Sequence, residues 1–158
     1  MTASLRAAAP VASVMAVVED LGTYPDWLDI VGRAEPDGSD PGDPGPAWLV
    51  DLRGQLGPLR RSKRIRMVRS RRDDVGRVVF ERRELDGRSH SPWVLDVTVG
   101  PDPAEPAGGP PPGSAPGSEV IMHLHYGGGL WVPLLDRVLA DEIERSRPRL
   151  AALVEAEG

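Results

Sequence analysis

Between Pro10 and Val31 the apolar positions follow a helical period. Val11, Val14, Met15 and Val18 recur at i, i+3, i+4 and i+7, which predicts a short amphipathic helix. Pro10 suits a first helical position, where its missing N–H is no loss. Gly22 is placed to take the left-handed conformation that ends a helix, and Thr23 to cap a second one. In that second helix Tyr24, Trp27, Leu28 and Val31 share one side, with Asp26 and Asp29 on the other. Two helices this short are not stable alone, so their apolar sides require a partner surface.

Further along, the period falls to two. Gly32–Asp37 reads as a strand, and the turn-rich stretch Asp37–Pro46 as a surface loop. Ala47–Leu56 puts Trp48, Val50 and Leu52 on one face. In Leu59–Arg72, Ile65 and Met67 share a face with Arg61, Lys63 and Arg69, while Arg64, Arg66 and Val68 share the other. Neither face is wholly apolar, which predicts a long bent strand covered only in its middle. A turn at Asp73–Gly76 leads to Arg77–Leu85, with Val78, Phe80 and Arg82 opposite Val79, Glu81 and Arg83. Trp93–Gly100 sets Trp93, Leu95, Val97 and Val99 against Val94, Asp96 and Thr98. Ser118–Tyr126 sets Val120, Met122, Leu124 and Tyr126 against Ile121, His123 and His125. After Gly127-Gly128-Gly129 a helix runs from about Leu130, its stripe formed by Leu135, Val138, Leu139, Ile143, Leu150 and Val154. Pro148 interrupts that pattern and predicts a kink near Glu144–Pro148.

Asp20, Tyr24, Pro25 and Trp27 form the pattern D-x3-Y-P-x-W directly after an apolar helix. With the strands and the long terminal helix that follow, this resembles the START-like, Bet v 1-like (SRPBCC) superfamily, the polyketide cyclase/dehydrase and lipid-transfer group. The resemblance spans nearly the whole chain except the Pro/Gly-rich segment near residues 101–117. It implies an α+β helix-grip fold: a curved antiparallel sheet of six or seven strands around a long C-terminal helix, with two short helices after a first strand, Thr2–Ala9. It further implies one domain over residues 1–158 and an internal cavity for a hydrophobic small molecule, whether lipid, polyketide or quinone-like. The side chains expected to line that cavity are Trp27, Ile65, Met67, Val78, Phe80, Trp93, Leu95, Val97, Met122, Leu124, Leu134 and Val138, with Trp27 closing one end. The competing expectation is that these residues fill a solid core.

Composition adjusts this picture in a few places. A chain of 158 residues fits one domain, and its 40% apolar content allows a real core. With no cysteine there is no disulfide, thiol nucleophile or thiolate metal site. The net charge of −5 argues against general nucleic-acid binding. The residues from Arg6 to Val18 could pass for a signal peptide, but Glu19-Asp20 follows without a small-x-small cleavage site. No apolar run is long enough to span a bilayer. The expectation is a cytoplasmic protein without stable membrane insertion. Residues 101–117 are almost all Pro, Gly, Ala, Ser and acids, and read as an enlarged, mobile hairpin loop.

Candidate chemistry is sparse. His123 and His125 share a strand face, yet no third metal ligand is near in sequence, so exposed histidines are the expectation and no metal or cofactor is called for. A polyketide cyclase, aromatase or dehydratase would need an ionisable group in the cavity; Glu81, Arg83, Asp96 and Tyr126 are the only candidates, and no catalytic set can be assigned. The arginine run at 59–72 lacks interleaved aromatics for stacking on bases. Asp73, Asp74, Glu81, Glu84 and Asp86 can neutralise it by cross-strand pairing, so a solvated, ion-paired face is expected. The expected function is therefore binding or transport of a hydrophobic small molecule. The alternatives are the cyclase and an interaction protein such as a toxin–antitoxin component.

Overall fold

The computed structural model describes residues 2–56, 59–127 and 132–156, without side chains at 54–56, 59–61, 132–136, 138 and 139. Its elements, in order, are β1 (Thr2–Ala7), α1 (Val11–Val18), a 3-10 helix (Leu21–Asp26), β2 (Val31–Asp37), β3 (Ala47–Leu56), β4 (Leu59–Asp73), β5 (Arg77–Arg82), β6 (Trp93–Pro101), β7 (Ser118–Tyr126) and α2 (Val132–Ala156). The strands form a single antiparallel sheet in the order β1-β7-β6-β5-β4-β3-β2. Only the connection from β1 to β2 crosses the sheet, and α1 and the 3-10 helix make that crossing. From β2 onward each strand pairs with the next, until β7 closes against β1.

The sheet curls into a half-barrel. Register shifts between Val31 and Arg33 and between Arg69 and Arg71 each bend a strand where the pairing slips. The concave face follows the sequence alternation: Val50, Ile65, Met67, Val78, Phe80, Val97, Val99, Val120 and Met122 are all buried in one cluster with Leu5, α1, the 3-10 helix and α2. Along α2, Ile143, Ser146, Leu150 and Val154 face inward, and the helix packs on β1 and α1. Pro148 is exposed within α2 and does not end it. Of the expected stripe, Leu135, Val138 and Leu139 lie outside the residues whose side chains are described.

The corner after α1 differs from the sequence reading. Pro10 is the N-cap, one residue before the first helical position. Gly22 is not left-handed, and Thr23 caps no second helix. Asp20 starts a 3-10 helix instead, its Oδ1 accepting from the Gly22 N–H at 2.8 Å. The two hydroxyls turn back on α1: Thr23 donates to the Val17 carbonyl at 2.7 Å and Tyr24 to the Val18 carbonyl at 2.9 Å. Carbonyls in the last turn of a helix lack an intrahelical partner, so a helix ending inside the core requires such donors. Within the D-x3-Y-P-x-W pattern, Asp20 starts the corner and Tyr24, with the neighbouring Thr23, satisfies the C-terminus of α1.

The segment 101–117 joins the paired strands β6 and β7, as expected of an enlarged hairpin connection. Its acids tie the base: the Ala104 N–H donates to Asp102 at 2.9 Å and the Gly117 N–H to Glu105 at 2.9 Å.

Candidate functional site

The concave face is filled at one end and hollow at the other. α1 packs on β6 and covers the end where Val78 and Val97 face each other across the β5–β6 ladder, and both are fully buried. Beside them an aromatic cluster occupies the middle. Tyr24 lies 4.7 Å from Trp27 and 6.3 Å from Phe80, and Trp48 lies 5.8 Å from Phe80, ring centre to ring centre.

Beyond this cluster is an apolar cavity of about 80 Å³. Tyr24, Leu21 and Leu28 of the corner form one wall, with Ile30 and Val31 beside them. Val50, Leu52, Ile65, Met67, Trp93, Leu95, Met122 and Leu124 come from the strands, and Ile143 from α2. The walls grade from inside to outside. Tyr24, Ile65, Met67, Met122 and Ile143 are buried, whereas Ile30, Leu52, Trp93, Leu95 and Leu124 are partly exposed and form a rim. Among the described residues no ionisable group except the Tyr24 phenol lines the space. Burial pushes that phenol far above its ordinary range, and its proton is committed to Val18.

Of the side chains expected at the cavity, Ile65, Met67, Trp93, Leu95, Met122 and Leu124 line it. Val78, Phe80 and Val97 sit in the solid part of the core, because α1 and the aromatic cluster fill that end. Trp27 is fully buried but packs on Tyr24 away from the cavity, so Tyr24, not Trp27, forms that wall. Leu134 and Val138 lie outside the residues whose side chains are described. The residues missed, Leu21, Tyr24, Leu28, Ile30, Val31, Val50, Leu52 and Ile143, come from the corner and the start of β2, from β3 and from α2. Val50 and Leu52 carried a usable signal, since they alternate in register with Ile65 and Lys63.

The polar candidates all lie elsewhere. Asp96 pairs with Arg77 at 2.6 Å, and Glu81 pairs with Arg83 at 3.5 Å. Tyr126 stacks on Trp93 at 5.4 Å between ring centres. His125 is exposed, and the exposed His123 shares a hydrogen bond of 2.8 Å with the Thr2 hydroxyl. Among the described residues no three His, Cys, Asp or Glu side chains are grouped to hold a metal ion. No described helix is long and apolar enough to cross a membrane.

The arginines occupy both faces: Arg64 and Arg66 lie on the convex side of β4, whereas Arg72, opposite Val78, and Arg82, opposite Met67, lie on the concave side. Arg64 bonds its cross-strand partner Asp51 at 2.7 Å, and Arg72 reaches Glu19 at 2.7 Å. Arg71, Arg72 and Arg82 also pair with acids two residues on, Asp73, Asp74 and Glu84. Pairing along the strand therefore does much of what cross-strand pairing was expected to do. Arg66 breaks the expectation of a solvated face altogether: it is 2% exposed. The 37–46 loop folds over it, and Arg66 donates two bonds to Asp43 at 2.6 and 3.1 Å, one to Asp37 at 2.6 Å and one to the Gly38 carbonyl at 3.3 Å. The Arg66 guanidinium, helped by the Asp40 N–H, holds the Asp43 carboxyl down at about 2.

No family model matches the chain, and no curated protein matches it. Solved structures do. A START superfamily protein from Mycobacterium smegmatis is 12% identical, with 100% of this chain and 98% of that one covered at a TM-score of 0.64. A protein from Thermus thermophilus is 15% identical over 99% and 97% at 0.64, and a conserved protein from Geobacillus kaustophilus 10% over 98% and 94% at 0.64. At such identities the likeness speaks for the fold. The chain has the START-like, Bet v 1-like helix-grip fold.

Proposed function

We propose that this START-like fold serves to bind an apolar small molecule, or the apolar tail of one, in the cavity between the sheet, the corner and α2. The observation that carries the reading is the lining: all apolar side chains, graded from a buried floor to a partly exposed rim. A hydrocarbon moved there from water gains about 25 cal/mol per Å² of buried apolar area. The cavity of about 80 Å³ suits a short alkyl chain or one small ring. A polycyclic polyketide would require the rim to open. The position of Glu81, Arg83 and Asp96 away from the cavity favours binding over cyclase chemistry.

The test is extraction and native mass spectrometry of the purified protein, followed by isothermal titration with 1-hexanol, a single short alkyl chain. Leu124→Trp fills the rim and is expected to weaken hexanol binding about tenfold, a change of about 1.4 kcal/mol, without lowering the melting temperature. Undiminished hexanol affinity in this variant, or no saturable binding and no extracted ligand in the native chain, would sink the proposal.

A further inference from the structure

Resting on that binding reading, we propose that the ligand is a single-tailed organic acid, its chain in the cavity and its carboxylate paired with Lys63 at the rim. Lys63 is the only lysine in the sequence, and its place is specific. It lies on β4 two residues before Ile65, hence on the concave face, and sits opposite Leu52 in the β3–β4 ladder. Both Ile65 and Leu52 line the cavity. The Lys63 ammonium lies 5.7 Å from the centre of the Trp93 ring, another rim residue. A cation over an indole face is attracted by the ring quadrupole, which steadies the charge beside the opening.

Four other cations of this strand differ from Lys63, while Arg69 reaches the Glu19 carbonyl instead. Arg64, Arg66, Arg71 and Arg72 are each bonded to carboxylates. Among the described residues no carboxylate is paired with Lys63. Glu84 does act on it, but Glu84 is already bonded to Arg82 at 2.8 Å. Although Lys63 is exposed, desolvation of its ammonium, and then the charge of Arg82, pull its pKa down from the ordinary value, the mark of a cation with too little compensation. An incoming carboxylate would supply that compensation within reach of a chain lying between Trp93 and Leu52. Lysine serves here as a point charge on a flexible stem, so it selects an anionic head without demanding a fixed geometry.

The experiment compares octanoate, 1-octanol and octylamine by isothermal titration on the full chain and on Lys63→Met and Lys63→Arg. The native chain is expected to bind octanoate about tenfold more tightly than octanol and to bind octylamine weakest. Lys63→Met should bind octanoate and octanol alike, and Lys63→Arg should restore the preference. Equal affinity for octanoate and octanol in the native chain, or an unchanged preference in Lys63→Met, overturns the acid selectivity while leaving the cavity's binding role intact. Failure of all three probes to bind overturns both. Because Lys63 is exposed, unaltered melting of Lys63→Met separates a lost contact from a lost fold.

Discussion

Arg66 shows how far a single side chain's role depends on what folds over it. Its charge is removed from water and compensated by Asp37 and Asp43 together with two carbonyls. Removing one member of such a pair leaves the others buried and uncompensated. Arg66→Met is therefore expected to cost about 3 kcal/mol at neutral pH, read by urea denaturation. Asp43 is depressed to about 2, so its contribution is complete above the ordinary carboxylate pKa of about 3.9 and is lost as pH falls from there through about 2. Stability measured across that window should fall less steeply in Arg66→Met than in the native chain. Nothing in the alternation of β4 distinguished Arg66 from Arg64. Only the loop from Asp37 to Pro46, arriving from distant residues, buries one and leaves the other exposed. Tyr24 makes the same point from the other direction: it was legible as an apolar helix residue, whereas its hydroxyl is what ends α1.

Among the elements, the long alternating strands were legible in type, face and nearly in boundary. Trp93–Gly100 and Ser118–Tyr126 were expected, and β6 and β7 run Trp93–Pro101 and Ser118–Tyr126. A period of two, sustained beside one buried face, leaves little freedom. Short elements carry too few periods for this, and the expected second helix proved to be a 3-10 turn set by Asp20. The β4–β5 turn was read correctly and has a sharp requirement. Gly76 has φ +98, and a methyl there would lie 2.2 Å from the Val99 carbonyl oxygen. Gly76→Ala is expected to cost about 2 kcal/mol in thermal or urea unfolding, since neither the turn nor the neighbouring strand backbone can give.

At the scale of the whole molecule the sheet bends around a space of which α1 and the aromatic rings fill part. Truncating a side chain in the filled part leaves a hole, whereas truncation at the rim enlarges an opening that already meets solvent. Phe80→Ala is expected to cost about 4 kcal/mol, and Leu95→Ala about 1 kcal/mol, both by urea denaturation. Similar costs at the two positions would mean that the hollow end is packed like the other. The same comparison bears on ligand binding, because only a rim that tolerates change can admit a chain.

By itself the sequence determined the succession of the strands and which side chains of β3 to β7 share a face, while its resemblance to a known superfamily implied the class of fold. The strands and their faces are consequences of local period and turn chemistry, written within a few residues of where they act. The tertiary structure decided which inward-facing residues meet a cavity and which meet one another. Phe80 and Leu95 are partners across the same ladder, yet one is sealed in the core and the other lines the opening. Whether facing apolar surfaces close or leave space is set by the summed volumes of side chains from distant segments and by how far the sheet bends, and neither quantity exists until the chain has folded.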